Sequence, residues 1–334
     1  MKGRWDVVAL VVGAFGLLIA VLAVSGASPL ATVQTLFRGS LGSPGAISGT
    51  LRETTPLLIA GLAVFVALRA GLFNIGVDGQ LVVGALACAC VALRFPGPIG
   101  LVLGTMAGSI AGALWAWPAA WIKAVRGGHE VISTIMLNNI AGLLTTALVA
   151  GPLKDAKEQS PTTATLGASD RMPWLIDQAP FQVNLAILFG VVGTVAMAWW
   201  LKRTVSGYEL QAVGGNPVAA SFAGIEAKRV TMRTMILSGA IAGFAGCMQV
   251  LAYEGRFYAG FSPGYGFDAL GVALLAGSNA LGVLPSSLLF GILAKGGTAI
   301  QIMGVPKGIT TVVLGLVILV AAVLRYRKQG EPAR

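Results

Sequence analysis

Long apolar runs separated by short polar connectors make up most of this sequence. A run of about 20 apolar residues is long enough to cross a membrane as a helix. We place candidate spans near residues 7–26, 51–69, 80–94, 99–121, 131–150, 183–201, 234–252, 267–281, 284–303 and 309–324. The runs at 80–94 and 267–281 are short for a full crossing, so eight or nine spans remain an alternative to ten. The pattern predicts an all-α polytopic membrane protein, with residues 1–334 as a single transmembrane domain.

The composition describes a protein whose main solvent is lipid. Hydrophobic residues make up 56% of the chain and charged residues 11%, with a mean hydropathy of +0.81. Soluble domains carry about 25% charged residues. The net charge of +10 lies in the connectors, which argues against a nucleic-acid surface. The three cysteines lie in apolar runs without metal-ligand spacing, so we predict no metal site.

The basic residues predict the orientation. Ten spans put both termini on one side of the membrane, and cytoplasmic connectors carry an excess of Lys and Arg. With the termini in the cytoplasm, 14 of the 23 basic residues lie inside, eight lie outside and Lys295 lies within a span. This orientation makes residues 151–182 an extracytoplasmic loop and residues 202–233 a cytoplasmic loop.

One apolar stretch is interrupted by polar residues. The segment "AGLFNIGVDGQLVVGA" (residues 70–85) contains Asn74, Asp78 and Gln80. Each of these side chains would cost several kcal/mol in hydrocarbon without a partner. Non-helical backbone at membrane depth occurs only where protein or a water-filled cavity covers it. Two interpretations remain open: the polar groups cap broken helix ends, or they line a path for a polar solute.

A similar interruption follows about 190 residues later. The segment "AGFSPGYGFDALGVALLAGS" (residues 259–278) also joins a Gly-rich break, one aspartate and a short apolar run. Spans 1–5 and 6–10 would then be inverted repeats, and matching interrupted segments indicate a substrate path near the midplane. The glycines predicted to break the helices are Gly71, Gly76, Gly79, Gly264 and Gly266. The predicted pathway residues are Asn74, Asp78, Gln80, Asn138, Asn139, Gln249 and Asp268.

The cytoplasmic loop contains a predicted short helix. In "GGNPVAASFAGI", Asn216 can cap a helix that begins at Pro217 and continues from Val218 to Ile225. Such a helix suits docking into a groove on a partner protein. The alternative is an interfacial helix that packs only on lipid headgroups.

The chain offers no catalytic machinery. The nearest match to a phosphate-binding loop, "GILAKGGT", lies within a span and has Gly297 at the required Lys position. We therefore predict a transport protein and no enzyme. Two hypotheses remain: a transport subunit driven by a partner, or a self-sufficient secondary carrier or channel for a small polar solute. The second would need Asp78, Glu254 or Lys295 for proton coupling, and it would not need a docking helix in the cytoplasmic loop.

Several separated motifs resemble one family. The segments "TTPLLIAGLAVFVALRAGLFNIGVDGQ", "GHEVISTIMLNNIA", "SGYELQAVGGNPVAASFAGI" and "YGFDALGVALLAGSNALGVLPSSLLFGIL" are similar to the inner-membrane permeases of bacterial ABC importers. They resemble the branched-chain amino acid, ribose and nucleoside group, and within it the nucleoside branch, which is often annotated for simple sugars. The resemblance runs from about residue 51 to 324. That branch usually has Glu where Asp78 stands here.

This resemblance implies an importer subunit for a nucleoside, or otherwise for ribose or another simple sugar. It implies a second, often different, permease subunit, two ATPases or one fused tandem ATPase that bind ATP–Mg, and an extracytoplasmic substrate-binding protein. The permease would need no cofactor of its own and would lie in the bacterial inner membrane. Residues 207–225 would correspond to the coupling loop, with the candidate contacts Gly207, Glu209, Gly214, Gly215, Asn216, Pro217, Ala220 and Gly224.

Overall fold

Helices make up nearly all of the regular structure. The structure, a computed structural model, describes residues 28–302 together with Val312 and Gly315. The helices are α1 (Pro29–Leu41), α2 (Pro44–Arg69), α3 (Val77–Arg94), α4 (Pro98–Arg126), α5 (Glu130–Ala150), α6 (Ala186–Arg203), α7 (Val205–Gly215), α8 (Pro217–Phe222), α9 (Ala227–Met248), α10 (Tyr265–Ala276) and α11 (Val283–Ile302). Two strands, β1 (Trp174–Gln178) and β2 (Phe181–Asn184), pair between α5 and α6.

Seven of the described helices are long and apolar enough to cross a membrane: α2, α3, α4, α5, α6, α9 with its extension, and α11 with the turn before it. Helix α10 is apolar but has only 12 residues, as the short run at 267–281 predicted. These helices confirm the all-α polytopic membrane class. The spans predicted at 7–26 and 309–324 lie outside the described residues, so the count of ten and the inverted repeat stay predictions.

Some boundaries differ from the predicted ones. Helix α2 begins seven residues before the predicted position 51 because Pro44 starts it and the Ser43 hydroxyl accepts a hydrogen bond from the Ala46 amide at 3.1 Å. Helix α3 begins at Val77 instead of residue 80, which gives it 18 residues. Helix α1 was not among the predicted spans, because its 13 residues are too few for a search based on about 20.

The chain divides into two compact units. The larger unit consists of Thr55–Leu175 and Asn184–Ser287, and the smaller unit contains the remaining residues. In the larger unit, α3, α4 and α9 pack together through glycines that leave no space for a side chain. A Cβ on Gly84 would lie 2.4 Å from the Cα of Gly243, and a Cβ on Gly112 would lie 2.3 Å from the carbonyl oxygen of Gly239. Small residues allow this close approach between membrane helices.

Helices α1 and α11 contact each other in the smaller unit. A Cβ on Gly39 would lie 2.3 Å from the Ala299 Cβ. The first part of α2 joins this unit, and there the Thr50 hydroxyl donates to the Ser40 carbonyl oxygen at 2.8 Å. Close backbone approach and buried hydroxyl bonds therefore hold this unit together as well.

The loop between α5 and α6 covers the end of α9 within the larger unit. The last turn of α9 continues as a π-helix over Gln249–Glu254. The Met172 amide donates to the Leu251 carbonyl oxygen at 2.9 Å, and the Thr163 amide donates to the Phe257 carbonyl oxygen at 2.9 Å. The loop is therefore an ordered cap on this end of the helices.

Candidate functional site

The first interruption lies between α2 and α3. Helix α2 ends where Gly71 adopts a left-handed conformation (φ +72°), and the Leu72 amide bonds back to the Ala67 carbonyl oxygen at 3.0 Å. This is the usual glycine-terminated helix end. The chain then runs without regular structure to Gly76, the residue before α3. Gly71 and Gly76 therefore lie in an irregular segment, whereas Gly79, also predicted to break the helix, lies inside α3.

Two of the predicted polar residues form a closed pair inside this interruption. The Asn74 amide nitrogen donates to Gln80 Oε1 at 2.9 Å, and Gln80 Nε2 donates back to Asn74 Oδ1 at 3.2 Å. Asn74 Nδ2 also donates to the Ser238 hydroxyl on α9 at 2.8 Å, and Ser238 donates in turn to the Ala63 carbonyl oxygen at 2.6 Å. Asn74 is 0% exposed and Gln80 is 1% exposed. Their polar atoms therefore hold the interruption between α2 and α9.

The adjacent asparagines on α5 point in different directions. Asn138 Nδ2 donates to the Ile75 carbonyl oxygen at 2.8 Å, and Asn138 Oδ1 accepts from the Gly79 amide at 2.9 Å. Asn139 is exposed, and its amide nitrogen donates to the Ile135 carbonyl oxygen at 3.1 Å. Asn138 thus joins the same interruption from a third helix, while Asn139 lies outside this network.

Asp78 connects the first interruption to the second. Its Oδ1 accepts hydrogen bonds from the Ser262 hydroxyl at 2.6 Å and from the Gly266 amide at 3.0 Å. Gly264, just before α10, has φ +109°. A Cβ on Gly266 would lie 2.3 Å from the Asp78 amide nitrogen. The first turns of α3 and α10 therefore meet, and one carboxylate lies between their N-terminal ends.

The Asp78 carboxylate compensates the partial positive charge of two helix N-termini at this junction. A helix N-terminus carries a partial positive charge, and interrupted helices in transporters direct such ends at bound groups. Asp78 is half-buried, and its Oδ2 makes no hydrogen bond to any residue that the structure describes. Asp268, the other predicted acidic residue, lies in the first turn of α10 and is also half-buried. The structure thus brings both interruptions to one place.

Gln249 belongs to a separate polar group at the start of the π-helix. It is 3% exposed, and its Nε2 donates to Glu254 Oε1 at 3.1 Å across the wide turn. Its Oε1 is buried without a hydrogen-bond partner among the described residues. In the same turn, the Tyr253 hydroxyl lies 2.8 Å from the Thr55 hydroxyl. Gln249 shares no direct hydrogen bond with Asp78 or Asn74.

The predicted short helix forms in the loop between α6 and α9. Asn216 caps α8, because its Oδ1 accepts from the Val218 and Ala219 amides at 3.0 Å each. The helix ends at Phe222, three residues before the predicted end at Ile225, because the chain turns at Gly224 (φ +83°). Two of its apolar side chains face solvent, with Phe222 89% and Val218 64% exposed, whereas Ala220 is buried.

Helix α7 of the same loop packs directly on the start of the first interruption. Arg69 Nη2 donates to Gln211 Oε1 at 2.7 Å. A Cβ on Gly214 would lie 2.1 Å from the Arg69 carbonyl oxygen, and a Cβ on Gly71 would lie 3.2 Å from the Gly214 carbonyl oxygen. Sequence reasoning missed Arg69 and Gln211, because nothing in their local patterns links residues 142 positions apart. The two glycines that allow the contact were predicted for other reasons.

A buried carboxylate supports the interruption from α5. Glu130 is 6% exposed, and its Oε2 lies 2.8 Å from the Lys123 ammonium group on α4. Its Oε1 lies 3.5 Å from the Phe73 amide. Sequence analysis missed this role. Within the described part of the chain, no group of three His, Cys, Asp or Glu residues could hold a metal ion.

Comparisons with known proteins identify the family. The family described as "Branched-chain amino acid transport system / permease component" matches residues 46–322. A guanosine ABC transporter permease protein from Bacillus subtilis is 37% identical over 307 residues, covering 90% of this chain and 88% of the relative. A nucleoside ABC transporter permease protein from Lactococcus lactis is 33% identical over 336 residues, covering 96% of this chain and 92% of the relative.

A glucose ABC transporter permease protein from Haloferax volcanii is 34% identical over 319 residues, covering 90% of this chain and 84% of the relative. No solved structure matches the chain. These relatives decide between the two hypotheses, because they are subunits of ATP-driven systems and not self-sufficient carriers. Such systems include an ATPase and a substrate-binding protein. The chain is therefore no enzyme but a multi-pass membrane permease subunit of an ABC importer for a small polar solute, and it belongs to the branched-chain amino acid transport system permease family.

Proposed function

We propose that this subunit carries nucleosides inward across the bacterial cytoplasmic membrane. Relatives named for guanosine and for nucleosides support this substrate class, and ribose or another simple sugar is the second choice because a glucose permease is also similar. A nucleoside is a neutral molecule rich in hydroxyl and amine donors. The unoccupied carboxylate oxygen of Asp78 can accept from such donors where α3 and α10 meet.

The predicted pathway residues take different roles in this proposal. Asn74, Gln80 and Asn138 shape the interruption, because their amide groups bond to the protein itself. Asp78 and Asp268, each in the first turn of its own helix, present the polar surface that the solute meets. Asn139, in the middle of α5, and Gln249, at the end of α9, would contact the solute elsewhere along its path.

The single observation that carries the mechanism is the contact between α7 and the first interruption. Helix α8 exposes Phe222 and Val218 without a partner among the residues that the structure describes, as a docking element for an ATPase would. Helix α7 precedes α8 in the same loop, and its Gln211 bonds to Arg69 at the end of α2. Movement of the docked loop would therefore reach the interruption directly and alternate access to the solute.

The proposed assembly follows from this geometry and from the relatives. The extracytoplasmic loop 151–182 receives solute from the binding protein, and residues 202–233 dock on the ATPase. A second, homologous permease completes the pathway, as the separate nucleoside permease proteins of Lactococcus lactis suggest. ATP–Mg binds in the ATPases, this chain holds no cofactor, and both termini lie in the cytoplasm.

Two variants test the proposal. Asp78→Ala, assayed with the complete transporter in proteoliposomes, should lower guanosine uptake more than it lowers the amount of assembled complex. Uptake kinetics equal to the wild type would remove Asp78 from the pathway. Competition by adenosine, ribose and glucose on the wild-type complex then identifies the solute class, and inhibition by glucose alone would contradict the nucleoside proposal.

Phe222→Ala tests docking. The side chain is almost fully exposed, so its removal should leave the fold of this subunit unchanged. Truncating an interface aromatic costs about 2 kcal/mol or more, or roughly a 30-fold loss of ATPase affinity. Val192→Ala, an exposed apolar truncation on α6 outside the docking loop, is the control. Equal ATPase affinity in both variants would refute docking through α8.

A further inference from the structure

A cavity lies where α6, α7 and α9 meet beside the cytoplasmic loop. Its volume is about 210 Å³. One water molecule accounts for roughly 30 Å³ of liquid volume, so the cavity can hold a group several times larger than a water molecule. The lining includes Trp200 from α6, Ser206, Glu209 and Leu210 from α7, and Val230 and Arg233 from α9.

The two charged residues on the cavity wall have opposite signs and no partner in the described part of the chain. Glu209 is half-buried and Arg233 is exposed. Among residues 28–302, neither takes part in an ion pair or a side-chain hydrogen bond, although Arg229 of the same segment lies 4.0 Å from Glu226. A single charged occupant would satisfy only one of the two residues. An occupant with one negative and one positive group would satisfy both.

The remaining lining residues place the cavity at the membrane surface. The Trp200 indole nitrogen donates to the Ser206 hydroxyl at 2.9 Å, so its polar edge faces the loop. Tryptophan is enriched at the level of lipid headgroups. Helix α6 ends in Lys202 and Arg203, which are both exposed. The deeper wall is apolar and includes the buried Leu210. This arrangement suits an amphiphile whose polar end lies at the surface.

We propose that this cavity binds the headgroup of a phospholipid that carries a phosphate and a primary ammonium group. The Arg233 guanidinium would bind the phosphate, because its planar set of donors matches phosphate oxygens. The Glu209 carboxylate would accept from the ammonium group, which has three N–H donors. A trimethylated headgroup lacks those donors, and a glycerol headgroup offers hydroxyl donors but no positive charge to the Glu209 carboxylate. The site is therefore selective for aminophospholipids.

Native mass spectrometry of the purified subunit tests this site without any partner. The protein is exchanged into nanodiscs of phosphatidylethanolamine, phosphatidylcholine or phosphatidylglycerol with identical acyl chains, and the retained lipid is measured. One charge-assisted hydrogen bond corresponds to about tenfold or more in affinity. We expect about a tenfold preference for phosphatidylethanolamine in the wild type. Equal retention of the three lipids, or a preference for phosphatidylglycerol, would overturn the proposal.

Charge-matched variants locate the binding. Glu209→Gln should abolish the preference over phosphatidylcholine, and Arg233→Gln should reduce retention of all three lipids. Glu226→Gln and Arg229→Gln make the same charge changes in the neighbouring ion pair and should leave retention unchanged. If the control variants lose as much lipid as the cavity variants, general surface charge explains the binding and the site is refuted. Because no ATPase or solute is present, this outcome is independent of the proposed transport function.

Discussion

Gly214 is the position at which a single added methyl group tests how the loop between α6 and α9 communicates with the interrupted helix. In Gly214→Ala, the new Cβ would lie 2.1 Å from the Arg69 carbonyl oxygen and 2.9 Å from the Ala70 Cα. Real Cβ contacts are essentially never below 3.0 Å, so the shortfall is 3.0 − 2.1 = 0.9 Å. Both opposing atoms belong to the backbone. The clash can therefore be relieved only by separating α7 from the end of α2.

Separating α7 from α2 costs free energy and weakens the hydrogen bond between them. Overpacking of this kind costs typically 1–3 kcal/mol, about a 5- to 150-fold change in an equilibrium between docked and undocked α7. The 2.7 Å bond between Arg69 and Gln211 would lengthen with it. We expect the complete transporter to keep its basal ATPase activity, because α8 is untouched. Stimulation of that activity by the loaded binding protein should fall about 5-fold or more.

Gly215→Ala is the matched control for this experiment. Gly215 is the next residue of the same helix, and a Cβ there would have no atom within 4 Å. Alanine fits the backbone there, because Gly215 is helical and has no positive φ. ATPase stimulation and solute uptake are measured for both variants at equal amounts of assembled complex. If Gly214→Ala and Gly215→Ala were stimulated equally, transmission through this contact would be refuted.

Three further predictions concern the interruptions and the loop between α5 and α6. Gly266→Ala should lower uptake at least 10-fold, because its Cβ would lie 2.3 Å from the backbone of α3, which corresponds to about 1.4 kcal/mol or more. Asn74→Ala and Gln80→Ala should each lower the free energy of unfolding by about 1–3 kcal/mol, and the double variant by less than the sum. The Gly97 amide, which donates to Asp170 at 2.6 Å, holds the pKa of that carboxyl below its usual value. The hydrogen bond between the Gly97 amide and Asp170 should persist at every pH above the usual pKa of an aspartate. It should be lost as the pH falls through the lowered pKa of Asp170, and the exchange protection of the Gly97 amide should fall with it.

Each of these three predictions has its own control or contradicting result. Gly142→Ala places a methyl group where no atom lies within 4 Å and should leave uptake unchanged. Additive effects of the Asn74 and Gln80 variants, measured by thermal unfolding in detergent, would show that the two amides act independently. Equal protection of the Gly97 amide in Asp170→Ala and the wild type would rule out Asp170 as its acceptor.

The periodicity of apolar residues predicted most of the membrane helices. Apolar runs mark spans well, because every backbone polar group in lipid must be satisfied within a helix. The same logic identified the glycine-rich interruptions and the capped helix at Asn216. Helix α1 and the early start of α2 were missed, because short apolar helices and capping by Ser43 give weak signals.

The contacts of the site could not be predicted from the sequence alone. The polar residues were identified, but whether each bonds to protein or to solute depends on side chains distant in sequence. Asn74 is satisfied by Ser238, 164 residues away, and Asp78 by Ser262, 184 residues away. The contact between Arg69 and Gln211 likewise joins residues that are distant in sequence. Only the folded chain shows that α7 reaches the interruption.

The central claim is that this subunit moves solute only when an ATPase is bound to the loop of residues 202–233. Proteoliposomes containing the complete transporter should accumulate labelled guanosine in the presence of ATP and Mg²⁺ and the binding protein, and should not do so with ADP. Proteoliposomes containing this subunit without its ATPase should show no uptake above empty vesicles. Equal uptake by the subunit alone would contradict the account.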